Sequence, residues 1–129
     1  MINTVDFRML DLVEGEKYTI VWYDNLTGIV SANIKLVDFH VDTFAQYENS
    51  LFLEMIIGRR RSIQSQVFTP NESILIIKGT HKINFDSLYT IEERDGVTHK
   101  YSNVLSMSNK WIQAAREQVE DQDIICYQF

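Results

Sequence analysis

Two long β-strands around a single turn are the clearest hydrophobic and polar pattern in the first third of the chain. Residues 18–23 are all β-branched or aromatic, a composition that suits the pleated surface of a strand. The segment 24–28, Asp-Asn-Leu-Thr-Gly, supplies residues that tolerate a tight turn. The second strand continues to Asp42 and is long, so we expect a bend or bulge near Ser31 to Asn33 and a strongly curved sheet.

Further strands follow at short intervals. Ser50–Ile57 and Ser73–Lys78 are apolar at almost every interior position, which is typical of strands inside a sheet. Tyr89–Arg94 and Val97–Ser102 flank an Asp-Gly pair, the strongest short-range signal for a β-hairpin in this chain.

Two helices and an apolar tail complete the predicted elements. Apolar residues at spacings of three and four predict a short helix over Thr4–Val13 and a second one from its cap, Ser108, to about Val119. The tail, 123–129, is apolar, and we expect it to add an edge strand to its own sheet or to a neighbouring subunit.

These elements define the predicted fold class. It is mainly β (α+β), a small and strongly curved antiparallel sheet or barrel with a short N-terminal helix and a C-terminal helix. We expect a single domain over 1–129, with a barrel-like sheet at 4–85 and a hairpin, helix and docking tail at 86–129.

The composition fits one self-sufficient soluble domain. A chain of 129 residues with 45% hydrophobic residues can bury a core. No apolar run approaches the roughly 20 residues needed to cross a bilayer, and no secretory signal is visible. The single cysteine, Cys126, cannot form an internal disulfide. We therefore expect a cytoplasmic protein with no membrane partner.

The charge is unevenly distributed along the chain. The formal net charge is −6, but residues 1–57 carry −6, residues 58–100 carry +2 and residues 101–129 carry −2. Binding to long duplex DNA needs a basic surface, so the overall charge argues against that partner. The middle segment is locally basic, and the overall negative charge favours a compact anion in a pocket over a long polyanion on a surface.

The order of elements and one short turn resemble those of the Sm-like barrels. A short helix, a curved hairpin and a central strand are followed by Ile-Ile-Lys-Gly-Thr-His-Lys-Ile at 76–83. Residues 77–79, Ile-Lys-Gly, are similar to the hydrophobic-basic-glycine turn between the last two strands of that family. The resemblance covers residues 4–85 and implies a ring-forming homo-oligomer that holds nucleotides near this turn and near the loop before the third strand.

Basic and aromatic residues are the best candidates for ligand contacts. Guanidinium groups at 59–61 can bind phosphate bidentately, and the preceding Gly58 lets a ligand approach the backbone. An equally weighted alternative is a solvated strand end paired with the surplus carboxylates. Aromatic residues with partial exposure supply stacking platforms for a base, although most aromatics at strand spacing belong to the core. The predicted ligand-binding residues are Arg59, Arg60, Arg61, Lys78, His81, Lys82, Trp22 and Tyr101.

A row of possible metal ligands is better explained as an outer strand face. Alternation places Asp38, His40 and Asp42 on one side of a strand. Ligands spaced about 6 to 7 Å apart in a straight row do not close around one ion. A polar outer face, with Phe39 and Val41 turned inward, is therefore favoured, and no metal or cofactor is expected.

Other reactive residues lack the context that catalysis requires. No family signature surrounds Cys126, so a buried or edge thiol is favoured over a nucleophile. The repeated Thr-His-Lys at 80–82 and 98–100 lacks the polar residue two positions on that two-histidine phosphoesterases use. The chain has no phosphate-binding glycine loop, nucleophile elbow or zinc spacing. We therefore expect a protein that is not an enzyme.

Three functional hypotheses follow, in decreasing order of support. The first is a non-enzymatic homo-oligomer that holds a small nucleotide signal or short RNA. The abundance of isoleucine and asparagine is typical of an AT-rich genome, so a phage protein that sequesters a nucleotide signal is one concrete form. The second is a protein-interaction module, such as a phage inhibitor of a host protein or a virion subunit. The third is a hydrolase that uses Asp38, His40 and Asp42.

Overall fold

Eight strands and one α-helix make up the described fold. The computed structural model describes residues 7–24, 28–42, 49–59, 61–70, 72–102 and 110–128. The strands are β1 (Lys17–Asp24), β2 (Gly28–Val41), β3 (Leu51–Ile57), β4 (Gln64–Phe68), β5 (Ile74–Lys78), β6 (Tyr89–Arg94), β7 (Val97–Ser102) and β8 (Ile124–Gln128), and helix α1 spans Lys110–Arg116.

The main sheet has six antiparallel strands in the order β4-β3-β2-β1-β5-β8, so the mainly β class is confirmed. Within the described residues the sheet is not closed, because β4 and β8 are its edges, and the predicted barrel is not confirmed. The sheet is nevertheless strongly curved. Trp22 on β1 and Phe68 on β4 have ring centroids 5.5 Å apart, although β2 and β3 lie between their strands.

Two hydrophobic cores lie on opposite faces of this sheet. The concave core contains Phe7, Leu12, Tyr18, Ile20, Ala32, Ile34, Leu36, Leu51, Leu53, Met55, Phe68, Ile74, Ile76 and Cys126. The core on the helix face contains Val21, Leu75, Ile77, Leu88, Trp111, Ile112 and Ala115. Strands β1 and β5 contribute alternate residues to both cores, so they are the buried centre of the fold.

The long second strand bends at a different place from the one predicted. The irregularity in the β2–β3 pairing lies between Leu36 and Asp38, whereas residues 31–33 pair with β1 without interruption. Just after it, the Asp38 carboxylate accepts a hydrogen bond of 2.8 Å from the Phe39 main-chain N–H. This local bond supports the bulge because a short acidic side chain can satisfy a nearby backbone donor.

The predicted N-terminal helix over Thr4–Val13 is not confirmed. The described part has only a 3-10 turn at Phe7–Met9, closed by a hydrogen bond from the Leu10 N–H to the Phe7 carbonyl. Phe7 and Leu12 are buried, but Met9 and Val13 are 80% and 48% exposed. The apolar residues therefore do not form one buried helical stripe.

The C-terminal predictions are confirmed in large part. Helix α1 buries Trp111, Ile112 and Ala115 as expected, although it is shorter than predicted, and its predicted cap, Ser108, lies outside the described residues. Strand β8 pairs antiparallel with β5, so the apolar tail docks on its own sheet.

The β6–β7 hairpin has the predicted bounds and turn. Its turn residues Asp95 and Gly96 have φ of 53° and 77°, the positive values that a two-residue hairpin turn requires. In the described part of the chain, none of the helices is both long enough and apolar enough to cross a membrane.

Candidate ligand-binding site

A groove opens on the concave side of the sheet where β3 separates from β2. Its volume is about 440 Å³, and its lining includes Trp22, Ser31, Asn33, Gly58 and Gln66. Pockets for small organic ligands usually measure about 300–1,000 Å³. The groove is therefore large enough for one small ligand.

An aromatic ring forms one wall of this groove. Trp22 is half-buried and meets Phe68 edge to face at an interplanar angle of 71°. Because Phe68 is fully buried, it holds the indole in place while leaving the exposed part of Trp22 toward the groove. A fixed indole is a good surface for a planar ligand to stack on.

Amide side chains form the opposite wall. Gln64 and Gln66 pair with Met55 and Leu53 of β3, and both of these partners belong to the concave core. Directly paired residues share a face of the sheet, so the two glutamines point to the concave side. Their amides offer both donors and acceptors to a bound ligand.

The backbone of β2 supplies further polar groups. The Asn33 carbonyl accepts a hydrogen bond of 2.9 Å from the Gly58 N–H, so its main chain faces β3. Backbone groups two residues apart face the same edge of an antiparallel strand, so the N–H and C=O of Ser31 point the same way. Strand β3 pairs with β2 only from Ile34 onward, and Ser31 therefore presents its main chain to the groove.

The arginine run begins at the mouth of the groove. Gly58 lines the groove and has φ of 59°, a left-handed conformation at the turn that follows β3. Arg59 and Arg61 follow and are exposed. Arg60 lies outside the described residues.

The second basic group lies elsewhere on the sheet. The His81 main-chain N–H donates to Thr19 Oγ1 at 2.9 Å, and His81 Nε2 donates to the Lys78 carbonyl at 2.8 Å. These bonds fix the turn after β5, and Lys78 and Lys82 are exposed around it. None of Lys78, His81 and Lys82 is among the residues that line the groove.

The other two predicted ligand-binding residues are aromatic. Trp22 lies in the groove, as its proposed role requires. Tyr101 belongs to β7, but its side chain lies outside the described part of the structure.

The outer-face explanation of the 38–42 segment is confirmed. Phe39 and Val41 pack against the concave core, whereas the His40 ring stacks on Phe52 with centroids 4.8 Å apart. Among the described residues, no group of three or more His, Cys, Asp and Glu side chains could hold a metal ion. This strand therefore gives the hydrolase hypothesis no support.

Cys126 is a structural thiol. It is buried beside β5, and burial raises its pKa to about 12, against a lowering by a hydrogen bond with the backbone of Ile76. Because the thiolate is the reactive form of cysteine, this thiol is unreactive near neutral pH.

The groove contains residues that sequence reasoning missed. Gln64, Gln66 and Phe68 alternate along one face of β4, and polar residues on an inward face are a visible sign of a ligand site. The sequence around Ser31 does not indicate a ligand site. Its main chain is accessible only because the pairing of β2 with β3 begins at Ile34.

Comparison of the chain with protein-family models, with curated proteins and with solved structures gives no match.

Proposed function

We propose that this protein binds a phosphate-bearing ligand with a planar base in the groove. The base stacks on Trp22, and the phosphate is held by Arg59 and Arg61. The observation that carries this proposal is the position of an aromatic-walled groove of about 440 Å³ directly beside the arginine-bearing loop.

The chemistry of the walls supports this choice of ligand. Stacking of a base on an aromatic side chain contributes about 1–3 kcal/mol and tolerates any base. Exposed guanidinium groups bind phosphate bidentately. Gln66 and the main chain of Ser31 add hydrogen-bonding groups for the base edge, so the groove can hold both halves of a nucleotide.

In the proposed form the protein is a non-enzymatic homo-oligomer that sequesters a nucleotide signal or a short RNA. The outer edges of β4 and β8, unpaired within the described residues, support self-association because open sheet edges pair readily with other strands. The ring and the closed barrel implied by the Sm-like resemblance remain predictions that belong to this proposal.

Native mass spectrometry with a mixed pool of cyclic dinucleotides, ADP-ribose derivatives and short RNAs tests the function. We expect uptake of one ligand mass per subunit or per interface. The double variant Arg59→Ala and Arg61→Ala should lose this uptake. A charge-matched control, Arg8→Ala with Lys110→Ala, changes two exposed residues on other elements and should retain it. A wild-type protein that takes up nothing from the pool contradicts the proposal.

A second candidate function is recognition of an extended peptide. The main chain of Ser31 faces the gap beside β2, and a peptide strand can add to such an edge through backbone hydrogen bonds. This candidate predicts that the arginine variant keeps its partner, whereas charge reversal of the acidic segment 117–123 abolishes partner binding.

A further inference from the structure

Strand β4 lies at an edge of the main sheet and lacks the features that usually prevent an edge from pairing. Only β3 pairs with it within the described residues, so its other side is open. Edge strands are normally protected by charged side chains, by proline or by bulges. The sequence of β4, Gln-Ser-Gln-Val-Phe, contains no charged residue and no proline, and its pairing with β3 is regular. The open side of β4 is therefore available to another strand.

Hydrogen bonds to β2 fix which backbone groups of β3 face each neighbouring strand. Just beyond the two ends of β3, the Gly58 N–H donates to the Asn33 carbonyl at 2.9 Å, and the Asp42 N–H donates to the Ser50 carbonyl at 3.0 Å. Backbone groups of alternate residues point to the same edge of an antiparallel strand, so the even-numbered residues of β3 face β2. The odd-numbered residues of β3 therefore face β4.

The same alternation gives the direction of the backbone groups of β4. Gln64 and Gln66 pair with odd-numbered residues of β3, so the main chains of these two glutamines face β3. The N–H and C=O groups of Ser65 and Val67 then point to the open side of β4. A second strand can bond to them without disturbing the pairing with β3.

The residues at this edge have the symmetry that a pairing of two identical strands requires. Residues 63–67, Ile-Gln-Ser-Gln-Val, have the same order of apolar, amide and hydroxyl side chains in both directions about Ser65. Ile63 is 56% exposed, and Val67 is half-buried. An interface between the same surfaces of two subunits must be self-complementary, and this segment fulfils that condition.

An antiparallel pairing of two β4 strands centred on Ser65 matches the side chains across the new strand pair. Ile63 lies opposite Val67 of the partner subunit, and Gln64 lies opposite Gln66 of the partner subunit. Directly opposite apolar side chains stabilise a sheet, and two amides can each donate to and accept from the other. The two Ser65 residues at the centre exchange both of their main-chain hydrogen bonds.

The two ends of the paired segment carry opposite charges. In the same register Arg61 lies opposite Thr69 of the partner subunit, where a turn begins that is closed by the hydrogen bond from the Glu72 N–H to the Thr69 carbonyl. Arg61 and Glu72 are both exposed, and Glu72 is the one charged residue of the turn 69–72. The ends of the two strands are therefore complementary in charge.

We propose that two copies of this chain pair β4 with β4 about a two-fold axis at Ser65 and form a dimer with one continuous sheet. Gln64 lines the groove, so the dimer adds Gln66 of the partner subunit beside each groove. This inference rests on the homo-oligomer of the proposed function and narrows it. A two-fold contact closes at two subunits, whereas the ring that the Sm-like resemblance implies needs a heterologous contact.

Sedimentation velocity over a range of protein concentrations tests this dimer. The wild type should dimerise, and Ser65→Glu should raise the dimer dissociation constant about ten-fold or more, because like charges directly opposite each other destabilise a strand pair. The effect is increased by Glu54, which lies opposite Ser65 on β3. Gln113→Glu adds the same charge at an exposed position on α1 and should leave the dissociation constant as in the wild type.

A mixture of two variants tests the register of the pairing. Ser65→Glu mixed with an equal amount of Ser65→Lys should restore the dimer, because opposite charges then face each other at the two-fold axis. Misfolding of either variant cannot produce this gain of association. A monomeric wild type, a Ser65→Glu protein that associates as the wild type does, or a mixture that stays monomeric overturns the inference.

The outcomes separate this inference from the proposed function. If the wild type takes up a ligand from the nucleotide pool as a monomer, the groove site stands and the β4 contact is overturned. If the wild type is a dimer that Ser65→Glu dissociates and the mixture restores, but it takes up nothing from the pool, the β4 contact stands and the groove site fails. If the folded wild type neither dimerises nor takes up a ligand, both proposals fail.

Discussion

The indole ring of Trp22 meets the ring of Phe68 edge to face at 5.5 Å, although the two residues are on strands separated by two others. This contact requires the sheet to curl until β4 approaches β1 on the concave side. The groove lies within that curl, between the end of β3 and the start of β4. The candidate site is therefore a consequence of curvature.

Truncation of Phe68 should destabilise the fold strongly. Phe68 is fully buried, and Phe→Ala changes in cores cost about 3–5 kcal/mol. Urea unfolding should show this loss for Phe68→Ala and a smaller one for Phe68→Leu, which keeps an apolar side chain. Val67→Ala, at a half-buried neighbouring position on the other face, is the control and should cost about 1 kcal/mol. A cost for Phe68→Ala no larger than that of the control contradicts the packing described here.

Loss of the Thr19 hydroxyl should destabilise the fold more than loss of the Thr19 methyl group. Thr19→Val keeps the shape but leaves the His81 N–H without its acceptor, and a buried unsatisfied donor costs about 1–3 kcal/mol. Thr19→Ser keeps the hydroxyl and should lose less stability in the same urea titration. Equal losses for the two variants would show that the hydrogen bond from His81 is unimportant.

The Gln66 amide should strengthen nucleotide binding but lower the free energy of unfolding. It is half-buried and directed to the concave side beside Leu53, so Gln66→Leu extends an apolar surface. We expect the free energy of unfolding to rise by about 0.5–1 kcal/mol and nucleotide binding to weaken. Gln113→Leu, on the exposed face of α1, is the control and should leave binding unchanged. A variant that gains stability and binds as well as the wild type argues against a role for this amide.

The buried thiol should make stability fall at alkaline pH. The pKa of Cys126 is raised from 9.0 to about 12, so above pH 9 the unfolded chain releases a proton that the folded chain keeps. The unfolding free energy should therefore be unaffected by this group below pH 9 and fall above it, by at most about 1.4 kcal/mol per pH unit.

Cys126→Ala should remove the part of the alkaline decrease in unfolding free energy that begins near pH 9. Burial also raises the pKa of Tyr18, helped by the nearby Glu16 and Asp11 carboxylates and opposed by the hydrogen bond from the Val13 N–H. Tyr18 therefore also lowers the unfolding free energy at alkaline pH, but only from about pH 10, the ordinary pKa of a tyrosine. Identical pH profiles for the wild type and Cys126→Ala would contradict the burial of the thiol.

Local sequence signals predicted individual strands well but not the way they close on each other. The Asp95-Gly96 hairpin and the apolar strand Ile74–Lys78 were predictable because turn chemistry and side-chain period act within a few residues. The bulge between Leu36 and Asp38 was misplaced because it depends on the register with β3. Registers are set by contacts that are distant in sequence.

The candidate site was predictable only in its separate parts. Trp22 and Arg59 were identified from residue type, and the structure places Trp22 and Gly58, the residue before Arg59, in the lining of one groove. The main chain of Ser31 was overlooked because its access to the groove depends on where the pairing of β2 with β3 ends. Composition cannot reveal such a site.

Fluorescence of Trp22 is the most direct test of the central claim that a nucleotide base stacks in the groove. In a Trp111→Phe protein, Trp22 is the only tryptophan, and titration with a riboadenosine tetranucleotide should quench its emission saturably. The quenching should be lost on Arg59→Ala with Arg61→Ala. An emission spectrum that does not change while calorimetry shows the tetranucleotide bound would place the base elsewhere and contradict this account.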